Sequence, residues 1–115
     1  MAKAFVRTLW WLIAGTRGGP TRAGIVLALK ARPMNAHQLA NSLNADYKTT
    51  RQHLDLLVSN KILITVGEKY SMNYFLSTDT ESHWRDFQKI LETFSENVKR
   101  RLVSTAFQGG QQDGS

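Results

Sequence analysis

The sequence predicts a single, mainly α-helical domain with one small β-hairpin, which places it in the α+β class. Three observations lead to this prediction. The chain has 115 residues, a length typical of one domain. Apolar residues recur at helical spacing near both ends of the chain. Residues 61–76 read instead as two short strands around a turn that contains Gly67.

The composition excludes several classes of protein. Apolar residues make up 42% of the chain and charged residues 21%, which is enough apolar surface to form a folded core. The chain has no cysteine, so it carries neither a disulfide framework nor a thiolate metal site nor a thiol nucleophile. We therefore expect no cofactor and no metal, and a cytoplasmic location, since a chain without cysteine suits a reducing compartment.

The charge is distributed unevenly along the chain. The formal net charge is +6, and residues 1–45 hold six basic residues and no acidic one. Residues 46–115 hold nine of each sign and sum to zero. A basic excess confined to one part of a chain predicts a polyanionic partner, either nucleic acid or an anionic lipid surface.

The apolar segment at the start of the chain covers residues 4–14. It is 11 residues long and contains Arg7, whereas a helix that spans a membrane needs about 20 apolar residues. A glycine-rich loop follows it in place of a signal-peptide cleavage site. We therefore expect no membrane span and no export. An amphipathic surface anchor stays open, although a helix that is apolar on most sides favours burial in protein.

The first two predicted helices are separated by a loop. The first covers residues 2–14, and residues 15–19 form the loop. The second covers about residues 20–31, because Pro20 suits the first helical position and Pro33 ends the helix.

The third predicted helix begins after Asn35. Gln38 lies three residues further on, and this spacing forms an Asn/Gln version of the capping box. Asn44 marks the turn that follows, since asparagine tolerates the left-handed conformation that a tight turn requires.

The fourth helix and the hairpin follow directly. Asp46 is the expected N-cap of a helix over residues 47–59, and Asn60 is expected to end it in the left-handed conformation. Residues 61–66 and 70–76 are the two predicted strands.

The last predicted helix is long. A capping box at residues 78–81 opens a helix over residues 79–107, and a disordered tail over residues 108–115 follows. Residues 1–107 therefore form one domain. The order helix, helix, helix–turn–helix and hairpin defines a winged helix-turn-helix, with the helix–turn–helix at residues 35–59 and the wing at residues 61–76.

Several motifs in this order resemble the arsenic-repressor-type (ArsR-like) winged helix regulators, and they are most similar to archaeal members. The chain departs from the family pattern at Thr50, where the family usually has an apolar core residue, and at Lys61, where it often has glycine. The matching residues are Gly19 to Arg22, Ile25, Val26, Leu29, Asn35 to Ala40, Tyr47 to Arg51, His53, Leu54, Leu57, Ile62 and Leu63.

This resemblance implies a transcriptional regulator that binds double-stranded DNA in a sequence-specific manner. Its second motif helix, residues 47–59, enters the major groove, where Arg51 suits guanine and Gln52 suits adenine. Basic side chains in the wing and near the start of the second helix contact phosphates, although ordinary solvated charges explain them equally well. The predicted DNA-binding residues are Arg17, Arg22, Asn35, Tyr47, Lys48, Thr49, Arg51, Gln52 and Lys69.

Two aromatic side chains of this helix have a second interpretation. Tyr47 either anchors a phosphate through its hydroxyl or packs against the third helix. His53 is expected to be a packed, hydrogen-bonded residue rather than a base reader.

The two terminal helices, residues 1–14 and 79–107, predict a homodimer. The last helix repeats apolar residues at nearly heptad spacing, and the first is apolar almost all round. A two-fold dimer would bury both helices and would bind a pseudo-palindromic site; the alternative is that both helices fold back on their own domain. The predicted interface residues are Phe5, Leu9, Leu12, Trp84, Phe87, Leu91, Phe94, Val98 and Leu102.

Catalysis and metal sensing have little support in the sequence. The three histidines lie on three different predicted helices, and Asp79 with His83 forms a single pair without a second one later in its helix. No catalytic constellation is present, so we expect no enzyme, and no small-molecule effector is assigned. The alternative function is a module that binds a protein or a membrane surface and does not read DNA.

Overall fold

A computed structural model describes residues 2–94 of the chain. It is a mainly helical structure with a small three-stranded antiparallel sheet, and it confirms the predicted winged helix-turn-helix fold. The elements are α1 (Ala2–Ile13), α2 (Gly19–Ala31), β1 (Met34–Asn35), α3 (Ala36–Ser42), α4 (Tyr47–Ser59), β2 (Leu63–Val66), a 3-10 turn (Lys69–Ser71), β3 (Asn73–Leu76), α5 (Thr78–Ser82) and α6 (Trp84–Leu91).

The helix–turn–helix begins where its capping residues predict. Asn35 Oδ1 accepts a hydrogen bond from the Gln38 amide at 2.8 Å, and Gln38 Oε1 accepts one from the Asn35 amide at 2.8 Å. This reciprocal pair is a capping box, which satisfies two amide groups at the start of α3. Asp46 accepts from the Thr49 amide at 2.9 Å and caps α4, which has the predicted bounds.

The two turns at the ends of these helices use left-handed residues. Asn44 has φ 54°, as predicted. The prediction for Asn60 is wrong, because its φ is −98° and the left-handed residue is Lys61 at φ 63°. The Ile62 amide bonds to the Leu57 carbonyl at 2.9 Å, a Schellman pattern that puts the left-handed residue directly before Ile62. A left-handed position explains why the family often has glycine there.

The sheet contains one strand more than the sequence predicts. Its order is β1-β3-β2, and β1 pairs Met34 with Tyr74. The strands of the hairpin are also shorter than predicted, because the connection between them holds Gly67 at φ 102° and the 3-10 turn.

The predicted helix over residues 79–107 is broken in the described part of the chain. It is divided at His83 into α5 and α6, and its N-cap is Ser77, which accepts from the Thr80 amide at 3.1 Å. The buried Thr80 hydroxyl donates to the Ile62 carbonyl at 2.8 Å. This bond ties α5 to the residue directly before β2, and the helix is interrupted at His83, whose φ of −108° and ψ of 27° depart from helical values.

Helix α6 ends before the last described residue, and the predicted end at residue 107 lies outside the described residues. After Leu91 the hydrogen bonds tighten to a three-residue spacing, with the Thr93 amide bonded to the Ile90 carbonyl at 3.0 Å. The Thr93 hydroxyl donates to the same carbonyl at 2.7 Å, which ends α6. Residues 95–107, with Val98 and Leu102, and the predicted tail at residues 108–115 lie outside the described residues.

The hydrophobic core takes side chains from every layer of the domain, and α1 packs against it. Leu9, Leu12 and Phe87 are 0% exposed, so they cannot reach a second copy of the chain. Their predicted place in a dimer interface is therefore wrong, because a fully buried side chain has no surface left to offer a partner. The remaining large core side chains include Ile13, Ile25, Leu39, Leu54, Leu57, Ile62, Leu63 and Tyr74.

The contact between α1 and α2 requires glycine at position 19. A Cβ added at Gly19 would lie 1.8 Å from the Ile13 carbonyl oxygen, well inside any permitted contact. The end of α1 therefore rests directly on the backbone at the start of α2. Among the helices within residues 2–94, none is long and apolar enough to cross a membrane.

Candidate nucleic-acid interface

Helix α4 has a buried apolar face and an exposed polar face. Leu54 and Leu57 are 0% exposed and hold the helix against the core. The exposed side chains offer hydrogen-bond donors and acceptors, which is the chemistry needed to read base edges in a major groove. The polar ones are Lys48, Thr49, Gln52, Asp55 and Ser59, and the apolar Leu56 is 36% exposed beside them in sequence.

Thr50 stands on the buried face of α4. It is 0% exposed, and its hydroxyl donates to the Asp46 carbonyl at 2.8 Å. A buried hydroxyl with a partner avoids most of the desolvation penalty. This bond explains how the chain accepts threonine where the family usually has an apolar residue.

Arg51 is less free than the other polar side chains of α4. It is half-buried, its Nη1 donates to the Tyr47 hydroxyl at 3.2 Å, and its Nη2 lies 3.7 Å from Asp55 Oδ1. The hydrogen bond to Tyr47 is the main cause that raises the pKa of Arg51. The guanidinium is therefore held against its own helix, and a bidentate contact to guanine requires it to leave these partners.

Tyr47 packs against α3. Its ring stacks on His37, with the ring centroids 4.3 Å apart and the planes at 18°. Of the two interpretations of Tyr47, packing against the third helix is confirmed. Its hydroxyl accepts from Arg51.

Arg22 contradicts its predicted role in DNA binding. The side chain is 5% exposed, and burial lowers its pKa. Its Nε donates to the Leu12 carbonyl at 2.9 Å, and its other nitrogens contact Thr16 Oγ1 and His53 Nδ1. All three guanidinium nitrogens contact groups inside the domain, so this side chain is not available to bind a phosphate. The expectation that His53 is packed and hydrogen-bonded is confirmed.

Three predicted contact residues lie on other segments. Arg17 is exposed in the loop between α1 and α2, and Lys69 is exposed at the tip of the wing. Asn35 is half-buried and uses its carbonyl oxygen in the capping box. The structure therefore collects Tyr47, Lys48, Thr49, Arg51 and Gln52 on one helix, while Arg17 and Lys69 stand apart from it in sequence and on separate loops.

Two exposed tryptophans on α1 were not among the predicted site residues. Trp10 is 47% exposed and Trp11 is 57% exposed. The sequence shows that α1 is apolar on most sides, but it does not show which side meets the core. The structure shows that the side of α1 with Leu9 and Leu12 faces the core, whereas the tryptophans face solvent. Four predicted interface residues are half-buried against the core, namely Phe5, Trp84, Leu91 and Phe94.

The histidine nearest the start of α6 has no metal-like environment. His83 Nδ1 lies 2.8 Å from the Asp79 backbone carbonyl, so the pair is joined through the main chain rather than through the carboxylate. Within the part of the chain that the structure describes, no group of three or more histidine or acidic side chains could hold a metal ion.

A comparison with protein families matches residues 19–60 to the family described as "Bacterial regulatory protein, arsR family". The matched segment begins with α2 and ends directly after α4, so it contains the whole helix–turn–helix. The match supports the resemblance to ArsR-like regulators. It indicates a DNA-binding transcriptional regulator with DNA as its partner.

A comparison with solved structures finds the same fold. The chain is similar to the crystal structure of RV1404 from Mycobacterium tuberculosis, with a TM-score of 0.57 and 16% identity over 98% of this chain and 87% of that chain. At this identity the likeness concerns the fold alone. No curated protein matches the chain.

Proposed function

We propose that the protein is a homodimeric transcriptional regulator that reads double-stranded DNA with α4 in the major groove. The observation that carries this proposal is the exposed face of α4, where Lys48, Thr49 and Gln52 stand on a helix held rigidly by the core. This helix lies inside the segment that matches the arsR family. Such a regulator acts in the cytoplasm, and the sequence motifs favour an archaeal type.

Phosphate contacts in this proposal come from the loops. Arg17 and Lys69 are exposed cations at two different edges of the domain. Phosphate contacts position a protein on DNA and make its affinity depend on salt. Asn35 contributes through the amide group that its capping bond leaves available.

The proposed dimer uses α1 and the C-terminal part of the chain. Trp10 and Trp11 expose large apolar rings to solvent, and burying them against a second copy removes that surface from water. Phe5, Trp84 and Leu91 are half-buried against the core, and in this proposal their exposed parts add to the interface. A two-fold dimer presents two copies of α4 to a pseudo-palindromic site.

The experiment that tests this function is selection from fragmented genomic DNA with the purified full chain. We expect one enriched sequence with two-fold symmetry. If each dimer contacts about eight phosphates, the logarithm of the binding constant falls with log salt at a slope of about −7. Recovery of no enriched sequence, together with binding that does not respond to salt, would exclude the regulator.

A second candidate function rests on the exposed face of α1. Lys3 and Arg7 accompany the two tryptophans there, and a groove of about 520 Å³ lies between this face and α6. Cationic and aromatic side chains together also suit a membrane surface or an acidic protein. Cosedimentation with vesicles of anionic lipid separates the two functions, since a regulator that uses this face for dimerisation stays in the supernatant.

A further inference from the structure

The buried arginine of α2 joins the N-terminal helix to the DNA-reading helix. Arg22 donates from Nε to the carbonyl of Leu12 in α1 at 2.9 Å, and from Nη2 to Thr16 in the α1–α2 loop. Its Nη1 lies 3.1 Å from Nδ1 of His53 in α4. One side chain that is 5% exposed therefore contacts three separate segments.

The contact with His53 defines the state of that histidine. A guanidinium has only donors, so Nδ1 of His53 is the acceptor and the ring is neutral, with its proton on Nε2. Burial first, and the charge of Arg22 second, lower the pKa of His53. In the described part of the chain, Arg22 is the one charged group whose field shifts this pKa. The acceptor form is therefore the one present at neutral pH.

Gly18 leaves the space in which this contact forms. A methyl group at that position would lie 2.6 Å from Arg22 Nη1 and 2.8 Å from His53 Cε1. The backbone of Gly18 has φ −81°, which any residue adopts. The side chains of Arg22 and His53 therefore occupy the space that a Cβ at this position would need, whereas the backbone of Gly18 would accept another residue.

We propose that Arg22 and His53 are positioning residues that fix the reading helix α4 relative to the end of α1. The inference rests on the proposed function, in which α1 belongs to the dimer interface and α4 enters the groove. The distance and angle between the two reading helices of a dimer decide which half-site spacing fits. A charge-assisted hydrogen bond between α2 and α4, anchored in turn on α1, keeps that geometry constant.

A purely structural role for the pair makes a different prediction. If the contact only stabilises the fold, its loss lowers the melting temperature and leaves the preference among DNA sequences unchanged. If the contact positions α4, its loss reduces the ratio of specific to non-specific affinity. This ratio is therefore the measurement that separates the two roles.

The experiment uses the full chain with two duplexes, the sequence enriched from genomic DNA and a mixed-sequence duplex of equal length. We expect His53→Ala to lower the ratio of the two affinities about tenfold, as the loss of a hydrogen bond to a charged group requires. His53→Gln supplies an amide oxygen as acceptor and restores most of the ratio. His83→Gln is the matched control, since His83 is also half-buried but bonds to the backbone of α5, and it leaves the ratio unchanged.

A second variant distinguishes loss of the contact from loss of the His53 side chain and of the fold. Gly18→Ala keeps both partners and adds a methyl group 2.6 Å from Arg22 Nη1 and 2.8 Å from His53 Cε1, so the two side chains must shift and their contact is disturbed without removing a charge. We expect it to lower the ratio to a degree similar to His53→Ala. A ratio within twofold of wild type for both variants would overturn the proposal.

Failure of the proposed function gives a different result. If the wild-type chain enriches no sequence, the regulator itself is excluded, and no ratio exists to be changed. The contact is then measured without DNA from the histidine ring signals in an NMR titration, in which Arg22→Met removes the charge and the donor and raises the pKa of His53, whereas Arg85→Met leaves it unchanged. An unshifted pKa in Arg22→Met would contradict the contact on which the inference stands.

Acid affects this contact in a direction that follows from the lowered pKa. The unfolded chain takes up the proton first as the pH falls through about 6.5, so the free energy of unfolding decreases from there down to the pKa in the folded state. Protonation then turns the acceptor into a donor that faces the guanidinium. We expect the affinity ratio of the wild type to fall as the pH passes through the lowered pKa of His53 in the folded protein, and that of His53→Gln to stay flat. A wild-type ratio that stays constant while the NMR signals show His53 protonated counts against the proposal.

Discussion

Helices α1 and α4 are nearly equal in length, with 12 and 13 residues, and differ in the large side chains that they expose to solvent. Both bury leucines in the same core. Outside that core α4 shows Lys48 and Gln52, whereas α1 shows Trp10 and Trp11. A polar exposed face suits contact with base edges, and an apolar one suits burial against another surface.

The difference between these two helices changes how the excess of basic residues is interpreted. The excess lies in residues 1–45, which include α1, and not in α4. Part of it is absent from the surface, because Arg22 is buried among internal partners. Residues 46–69 carry four basic and three acidic residues. The case for sequence reading therefore rests on the donors of α4 and on the matched segment, while the net charge supports only attraction to a polyanion.

The largest expected effect comes from separating α1 from the rest of the domain. Gly19→Ala places a Cβ against the Ile13 carbonyl oxygen, so α1 must move away or the start of α2 must unwind. We expect the free energy of unfolding to fall by about 3 kcal/mol, measured by urea denaturation. Gly15→Ala is the control for a tight site without overlap, because its Cβ would lie 3.0 Å from the exposed ring of Trp10 and 3.2 Å from the backbone of Trp11, so we expect a smaller loss. Equal losses in both variants would contradict the close contact at Gly19.

The next effect concerns the polar face alone. Lys48→Ala/Gln52→Ala removes two exposed donors and leaves Arg51 with its own partners. We expect DNA affinity to fall about thirtyfold, measured by fluorescence anisotropy, with an unchanged melting temperature. Gln88→Ala/Lys89→Ala is the matched pair on the exposed surface of α6 and leaves affinity unaltered. A wild-type affinity in the α4 variant would remove this helix from the interface.

A smaller effect is expected from the apolar face. Trp10→Ser/Trp11→Ser should raise the dissociation constant of the dimer about tenfold, while the melting temperature at high concentration changes little because both rings are exposed. Light scattering measures the mass, and Ile64→Ser is the control, since Ile64 is 48% exposed on β2. A mass of 13.0 kDa for the wild-type chain at every concentration would exclude the dimer.

The smallest effect tests the end of α4. Lys61 has φ 63°, a conformation that glycine adopts without penalty. Lys61→Gly should therefore stabilise the protein by about 0.5–1 kcal/mol. Asn60→Gly, one residue earlier at φ −98°, should not stabilise it. A gain at position 60 instead of position 61 would contradict the assignment of the left-handed residue.

The parts of the fold that were predicted depend on neighbours in the sequence. The capping residues Asn35 and Asp46, the left-handed Asn44 and the bounds of α4 all follow from hydrogen bonds within four residues. Local signals of this kind are complete in the sequence itself.

The parts that were missed depend on distant partners. The two-residue strand β1 forms because Met34 pairs with Tyr74 of β3. A strand of two residues is too short to be predicted from a local sequence pattern. The buried state of Arg22 depends on His53, which lies 31 residues away. Thr80 of α5 bonds to the Ile62 carbonyl, 18 residues earlier in the chain, and heptad spacing encodes neither that bond nor the break at His83.

The strand β1 has a mechanical consequence. Asn35 pairs with Asn73 of the hairpin and, through its side chain, caps the first turn of α3. A force applied at the tip of the wing is therefore transmitted through the sheet to the helix–turn–helix, because strand pairing and the capping bond connect the two directly. Lengthening the loop between Val66 and Asn73 would change how far the wing extends, while the angle at which it approaches a duplex would stay the same.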